Sequence, residues 1–445
     1  MKLVNFRGLL SGIFGTLTLI YATLFAPQMT LAQFVQQGPK LVGAGAVARL
    51  ARELVGLGIP PSVEQGASVA LSADGNTAIV GGPGDRANGG AAWVFTRNGG
   101  IWKQQNKLVG AGAKGGARQG TSVAISADGN TAVVGGPYDS PGFHFAFNAD
   151  SPGIGAAWVF TRSGNGWKQQ SKLVGTGAVG DYVHQGCSLA LSADGNTAIV
   201  GGWSDNYGMG AAWVFTRKGN VWKQEGNKLV GTGGVSKQLS GVQQGTSVAL
   251  SADGNTAIIG GQGDNFMSGA VWVFTRRDGV WSQQGEKLFA DGVVKNFDSQ
   301  GGAVAVSADG NTAIVGGRTE GVWIFTRSGD VWSQQGGKLV GTGADAGQFR
   351  GVGQGTSVAL SADGKILIFG GDRDASRVGA AWTFTRNGNS WTQQGEKLVG
   401  SGAEGGSRQG YSVALSADGN TAIIGAPDDL KTGAIWVFVQ PKNSN

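Results

Sequence analysis

The fold of this 445-residue chain is decided by one stretch, Gln65-Gly-Ala-Ser-Val-Ala-Leu-Ser-Ala-Asp-Gly-Asn-Thr-Ala-Ile-Val-Gly-Gly82, and by its recurrence. Internal repeats with periods of about 20 to 50 residues are typical of solenoids, propellers and linear arrays. The spacing here is slightly longer, from 54 to 66 residues. Close copies of the stretch start at Gln65, Gln119, Gln185, Gln244, Gln300, Gln354 and Gln409.

Each copy contains four short segments with strand character, which in the first copy are residues 68–72, 77–80, 91–96 and 102–109. Asp74-Gly75 lies between the first two, and an Asp-Gly pair between apolar runs is a strong hairpin signal because the turn needs positive φ. Four antiparallel strands joined by turns form a propeller blade. The sequence therefore predicts an all-β protein, a seven-bladed β-propeller of four-stranded antiparallel blades.

The seventh copy lacks its fourth strand, because the chain ends soon after the third strand at residues 435–438. The missing segment is found at the other end of the chain, at residues 34–43, of which residues 36–43 match residues 334–341 of the fifth copy. We therefore expect the N-terminal strand to complete the last blade and close the ring, which leaves no open sheet at the two ends of the repeat. The predicted propeller spans residues 33–445.

Residues 1–32 have the layout of a secretory signal peptide. Lys2 and Arg7 precede an uncharged apolar run, and Thr30-Leu31-Ala32 supplies the small residues of a cleavage site. Cleavage after Ala32 would release a secreted protein without a membrane span, located outside the cell or on its surface. The alternative is an uncleaved membrane anchor, because the apolar run is almost long enough to cross a bilayer.

Composition excludes several classes of protein. With 83 Gly and only 14% charged residues, the chain is neither a helical bundle nor a charge-driven disordered segment. The variable loops carry more acidic than basic residues, which argues against a nucleic-acid partner. No Ser/His/Asp grouping or metal-ligand cluster stands out, and the single Cys187 substitutes for Thr or Ala at a strand position. We therefore predict that the protein is not an enzyme.

The repeat Gln-Gly-x-Ser-Val-Ala-Leu-Ser-Ala-Asp-Gly-Asn-Thr-Ala-Ile-Val-Gly-Gly-Pro resembles the FG-GAP repeat of bacterial secreted proteins and is distantly similar to the integrin alpha-subunit propeller. The resemblance implies extracellular binding or cell adhesion. Integrin-type blades that hold calcium carry a D-x-D-x-D-G-like turn, whereas this turn has a single carboxylate, Asp74 in the first copy. Calcium needs six to eight oxygen ligands. We therefore predict no cofactor and no metal, and interpret Asp74 and its equivalents as turn residues.

Three sets of repeated side chains carry structural expectations. A tryptophan recurs in every third strand, from Trp93 to Trp436, and is interpreted as core between blades. A lysine recurs near the end of every outer strand, such as Lys107 and Lys287, which is typical of edge strands protected from pairing with neighbours. An arginine ends six third strands, Arg97 being the first, and is predicted to form ion pairs with the aspartates of the first turns.

The candidate ligand-binding face is the one that varies between copies. Alternating hairpins place the first and third turns of each blade on one face, and the second loop and the blade-to-blade connection on the other. The second loop differs strongly between copies but always carries a carboxylate at one position, which is either a ligand or cation contact or a turn residue that ties down loop amides. The candidate site residues on this rim are Asp85, Asp139, Asp205, Asp264, Glu320, Asp374 and Asp429, together with Trp203 and Tyr207.

The function predicted from these observations is that of a secreted, non-enzymatic binding or adhesion module with an extracellular protein or glycan as its ligand. A lectin-like glycan binder that uses rim aromatics such as Tyr138, Phe143, Trp203 and Tyr207 is the first alternative. A polysaccharide hydrolase or lyase with its acids on the same rim is the second, since glycosidases act through paired carboxylates.

Overall fold

The computed structural model describes residues 33–48, 62–140, 153–164, 166–236, 241–291, 298–317, 321–347 and 351–441. The predicted signal segment, Phe143 and Glu320 lie outside these residues.

Short strands alternate with turns along the whole described chain, as the period-two patterns and Asp-Gly turns dictate. The strands are β1 (Val35–Gln36), β2 (Ser68–Leu71), β3 (Thr77–Gly82), β4 (Ala91–Asn98), β5 (Ile101–Leu108), β6 (Ser122–Ile125), β7 (Thr131–Gly136), β8 (Gly153–Ser163), β9 (Gly166–Leu173), β10 (Tyr182–Gln185), β11 (Ser188–Leu191), β12 (Thr197–Gly202), β13 (Ala211–Lys218), β14 (Val221–Gln224), β15 (Gln244–Leu250), β16 (Thr256–Gly261), β17 (Ala270–Arg277), β18 (Val280–Gln283), β19 (Ala303–Val306), β20 (Thr312–Gly316), β21 (Val322–Ser328), β22 (Val331–Gln334), β23 (Gln354–Leu360), β24 (Ile366–Gly371), β25 (Ala380–Asn387), β26 (Ser390–Gln393), β27 (Ser412–Leu415), β28 (Thr421–Ala426) and β29 (Ala434–Val439). Four single helical turns occur in second loops: α1 (Asp85–Asn88), α2 (Asp205–Gly208), α3 (Asp264–Met267) and α4 (Asp374–Arg377).

The strands form seven separate antiparallel sheets, which confirms the predicted seven blades. Blade 1 contains β2–β5, blade 2 β6–β9, blade 3 β11–β14, blade 4 β15–β18, blade 5 β19–β22, blade 6 β23–β26 and blade 7 β27–β29 with β1. Blade 2 differs from the others because β10 adds to it, in parallel with β8. The first strands of neighbouring blades contact one another around the centre, and the fourth strands lie at the periphery.

The N-terminal strand closes the ring, as predicted. β1 pairs antiparallel with β29, with Val35 opposite Val439, and Leu41 forms a further bridge with Ile435. On the inner side of the ring, Ser412 Oγ of blade 7 donates to the carbonyl oxygen of Gly66 at 2.7 Å, which joins the last blade to the connection that leads into the first.

A ring of backbone hydrogen bonds encircles the centre of the propeller. The alanine after the first strand of each blade donates its N–H to the equivalent carbonyl of the next blade, at 2.9 to 3.0 Å. The order of donors is Ala73, Ala127, Ala193, Ala252, Ala308, Ala362 and Ala417, and Ala417 donates back to Ala73. The seven blades therefore share one continuous network.

The core consists of apolar layers between neighbouring blades, and the third-strand tryptophans are part of them, as predicted. Trp158 of blade 2 packs against Ile79 and Val94 of blade 1 and is fully buried. Its Nε1–H donates to the carbonyl of Ala111 in the connection between the blades at 2.9 Å. A Cβ at Gly110 would lie 2.3 Å from the Trp158 ring, so this close approach requires glycine.

The predicted ion pairs between the third-strand arginines and the first-turn aspartates are wrong for the residues that the structure describes. Arg97 Nε donates instead to Asn76 Oδ1 at 3.0 Å, and its guanidinium lies over the Trp102 ring at 5.2 Å. Asp74 accepts hydrogen bonds from the Ser72 hydroxyl and the Asn76 N–H within its own turn. The aspartates are turn residues, as interpreted, and the neighbouring asparagine amide is the group that reaches the guanidinium.

Candidate functional site

The two faces of the propeller differ in backbone conformation. We call the face formed by the second loops and the connections between blades the variable face, and the opposite one the constant face. Among the described residues, 19 non-glycine residues have positive φ, and all except Asp278 lie on the variable face. The first turns of the constant face use glycine at this conformation in all seven blades, beginning with Gly75. Glycine adopts positive φ without strain, whereas other residues do so at a cost.

Six of the candidate carboxylates form one repeated buried arrangement. Asp264 Oδ2 accepts the Lys287 ammonium at 2.6 Å, and Asp264 Oδ1 accepts the backbone N–H of Val235 at 2.6 Å. The lysine follows the outer strand β18 of the same blade, and the N–H comes from the connection that enters the blade. The equivalent ion pairs are Lys40–Asp429, Lys107–Asp85, Lys172–Asp139, Lys228–Asp205 and Lys397–Asp374.

These lysines lie at the outer edges of the blades, a placement typical of edge strands, and the six in these pairs have a further role that the sequence did not indicate. Each side chain is largely buried and its ammonium points to a carboxylate of its own blade. The six aspartates are themselves buried. Their geometry favours the interpretation as residues that tie down loop amides, and ligand contact at these positions stays a prediction, as it does for Glu320.

Two further charged clusters lie on the variable face. Arg408 contacts Asp372 at 2.5 Å and Asp428 at 3.6 Å, and its guanidinium lies 4.6 Å from the centre of the Tyr411 ring. Arg118 contacts Glu64 at 2.6 Å. The Arg118–Glu64 pair is balanced, whereas the Arg408 cluster has two carboxylates for one guanidinium and keeps one net negative charge, with Asp428 partly exposed.

Trp203, a candidate from the sequence, belongs to an aromatic cluster at blades 2 and 3. Its ring stacks on His184 with 5.0 Å between centroids and an interplanar angle of 11°. Tyr138 contacts the other side of the cluster edge-on, 5.0 Å from the His184 centroid. Tyr207, the second aromatic candidate, lies in α2 with 82% of its surface exposed.

His184 is the residue that sequence reasoning missed. Its side chain is 2% exposed, and neither ring nitrogen has a hydrogen-bond partner among the described residues. Burial lowers the pKa of His184 to about 4, so the imidazole is neutral at physiological pH. It precedes Gln185, at a position where φ is positive in all seven copies, and the residues there are Glu64, Arg118, His184, Gln243, Ser299, Gly353 and Arg408. Strong variation directly before a glutamine found in every copy was the available signal.

Cys187 lies three residues after His184 and does not behave as a nucleophile. Its Sγ lies 3.3 Å from the carbonyl oxygen of Gly245 and 3.4 Å from that of Gly201. Burial raises the pKa of the thiol to about 11, which keeps it protonated at neutral pH. This agrees with the interpretation of Cys187 as a small packed residue.

Comparison with known proteins supports the class of protein that the fold defines. Residues 102–160, from the outer strand of blade 1 to the third strand of blade 2, match the FG-GAP repeat family. A search of curated proteins finds no match. The matched segment is about one repeat long, and within the closed ring of seven blades it is similar to an FG-GAP β-propeller, a fold that is often a binding or adhesion module.

The described residues contain no helix whose length and apolar character would let it span a membrane. Within the same residues, no group of three or more His, Cys, Asp or Glu side chains is arranged to hold a metal ion.

Proposed function

We propose that the protein is an extracellular, non-enzymatic binding or adhesion module that contacts its partner through the variable face. The observation that carries this proposal is the confinement of 18 of the 19 positive-φ non-glycine residues to that face. In a chain with 83 glycines, each of these positions could hold glycine with less backbone strain. Strained backbone is concentrated at functional sites, where the side chain offsets its cost.

Several of the strained positions at the tips of the second loops carry apolar side chains. Tyr207, Phe266 and Leu430 have φ values of 58°, 58° and 51°, and all three are exposed apolar side chains. More than half of the Tyr207 and Leu430 residues is exposed, so their apolar side chains contribute little to the core. Aromatic and large apolar residues are, however, enriched where proteins bind partners. A partner that spans several loops would contact them together.

The charges of the variable face support a binding role over a hydrolytic one. Six of its acids are buried and paired with lysine, and Asp372 is paired with Arg408. A general acid or base must reach a substrate atom to transfer a proton. The variable loops also carry more acidic than basic residues, so we propose an extracellular protein or glycan as partner and no nucleic acid.

The proposal is tested by attachment assays with two triple variants of residues 33–445. Tyr207, Phe266 and Leu430 are changed to Gly on the variable face, and Ile101, Val280 and Val331, which are exposed third-turn residues, are changed to Ala on the constant face. Attachment to cells of the producing organism and to extracellular matrix should be lost in the first variant and kept in the second. Since glycine relieves the left-handed strain, the first variant should melt no lower than the wild type. Equal attachment of both variants would contradict the proposal.

Glycan binding is the second candidate, and the aromatic cluster around Trp203 favours it. Tyrosine and tryptophan combine an apolar ring with a polar O–H or N–H group, so they can pack against a ligand and also form a hydrogen bond with it. Free oligosaccharides that block attachment would distinguish this candidate from direct recognition of a protein.

A further inference from the structure

On the basis of the proposed function, we infer that blades 2 and 3 form a subsite for a neutral oligosaccharide on the variable face. Trp203 is the stacking platform of this subsite, and His184 is the positioning residue that holds the indole. A protein partner that covers the whole face is the competing outcome of the test below.

The first argument is the departure of this region from the repeat. Trp203 is the one tryptophan of the 14 in the sequence that falls outside the two repeated positions. Three of the five tyrosines, Tyr138, Tyr182 and Tyr207, belong to the same two blades and the connection between them. The additional strand β10 contacts α2, which brings the exposed Tyr182 and Tyr207 to the same side of the face. Aromatic side chains are therefore concentrated at one place on an otherwise repetitive rim.

The second argument is the support of the Trp203 ring. The parallel stack on His184 fixes one side of the indole, and the edge contact of Tyr138 fixes the imidazole in turn. Trp203 itself is half-buried, so it is not enclosed in the core like the repeated tryptophans of the third strands. An indole that is immobile before binding loses little entropy when a ligand stacks on it.

The third argument is that His184 is unfavourable for the fold alone. A neutral imidazole carries one N–H, and a buried donor without an acceptor destabilises a protein. His184 also has a φ of 58°, whereas the equivalent position in blade 6 is Gly353. The unpaired imidazole and the strained backbone of His184 are both unfavourable for folding, and we explain their presence by the role of His184 in positioning the Trp203 ring.

The charges around the cluster indicate a neutral ligand. Asp139 is paired with Lys172, Asp205 with Lys228 and Glu64 with Arg118. Asp181, which precedes Tyr182, is exposed and can accept hydrogen bonds from hydroxyl groups. A pyranose has an apolar C–H face for an aromatic ring and hydroxyl groups for tyrosines and a carboxylate, so it matches this set of groups better than an anion or a cation does.

The test is calorimetric titration of residues 33–445 with neutral glucan, xylan, mannan and chitin hexaoses and with an anionic oligogalacturonate. At least one neutral hexaose should bind, Trp203→Ala should weaken its binding about tenfold or more, and Trp203→Phe should stay within about threefold. His184→Gly removes a buried ring and should weaken binding at temperatures where the variant is fully folded; a purely structural role would lower the melting temperature and leave the affinity for the hexaose unchanged. Tyr411→Ala, an aromatic control on the same face in blade 7, should bind as the wild type.

Binding of the anionic oligosaccharide alone, or equal binding by wild type and Trp203→Ala, would overturn the inference. If none of the neutral hexaoses binds, the inference is also wrong. The experiments distinguish a failure of the sugar subsite from a failure of the proposed binding face. If attachment is lost in the variable-face triple variant but unaffected by Trp203→Ala and by free hexaoses, the binding face is supported and the sugar subsite is rejected.

Discussion

Lys287 Nζ lies 2.6 Å from Asp264 Oδ2, and the second oxygen of the same carboxylate accepts the N–H of Val235. One buried carboxylate thus joins the outer strand of blade 4, its second loop and the connection that enters the blade. The arrangement recurs in six blades. The loops of the variable face are therefore held at their bases, and their exposed tips are free to differ.

Removal of one such carboxylate should destabilise the protein strongly. Asp264→Asn leaves the largely buried Lys287 ammonium without its counter-charge, and breaking a buried pair in this way costs about 3 kcal/mol of unfolding free energy. Asp330→Asn is the control, because Asp330 and Arg277 form an exposed ion pair whose loss should cost less than about 1 kcal/mol. Urea denaturation measures both changes. Similar values for the two variants would contradict the buried ion pair.

Calcium should have no effect on thermal stability. Each of the six aspartates is already neutralised by a lysine, and one or two carboxylates per loop are far from the six to eight oxygen ligands that calcium requires. The melting temperature of residues 33–445 should be the same in EDTA and in millimolar calcium. A saturable increase with calcium would show that a cation binds the folded state.

The N-terminal strand should contribute to stability through one side chain in particular. Phe34 is 4% exposed and packs in the core layer between blades 6 and 7, whereas its neighbour Val35 is 48% exposed. Phe34→Ala should lower the unfolding free energy by about 3 to 5 kcal/mol, and Val35→Ala by less than about 1 kcal/mol. Equal, small losses in chemical denaturation would mean that ring closure by this strand adds little.

His184 should make stability depend on pH in a definite direction. The pKa of this imidazole is about 4 in the folded protein, against 6.5 for an ordinary histidine. Above pH 6.5 neither state binds the proton, so the residue has no pH-dependent effect. Between pH 6.5 and 4 only the unfolded state is protonated, and the unfolding free energy falls by about 1.4 kcal/mol per pH unit.

A His184→Gln variant isolates this contribution. Between pH 7 and 4 the wild type should lose about 3 kcal/mol more unfolding free energy than the variant, since the carboxylates titrate alike in both proteins. Urea denaturation at pH 7, 5.5 and 4 provides the comparison. Parallel pH profiles would show that His184 is not buried in its neutral form.

The architecture could be predicted from the repeat, because Asp-Gly turns, alternating strands and the displaced fourth strand are local sequence signals. The side-chain partners within a blade could not be predicted from the sequence. Lys287 and Asp264 are 23 residues apart and meet only because the blade folds back on itself. Arg97 donates to Asn76 and not to Asp74 because the Asp74 carboxylate already accepts hydrogen bonds within its own turn. His184 was overlooked because a single histidine has no sequence pattern, and its burial under Trp203 is a tertiary property.

The most direct test of the binding face is to mask one face at a time. In a Cys187→Thr background, which matches Thr121 and Thr246 at the equivalent position, a single cysteine is placed at Tyr207 on the variable face or at Val280 on the constant face and coupled to a bulky polyethylene glycol. Attachment of the purified protein to cells or extracellular matrix should be abolished by the polymer at position 207. The polymer at position 280 should leave attachment unchanged. Loss of attachment at position 280 with retention at position 207 would contradict the account.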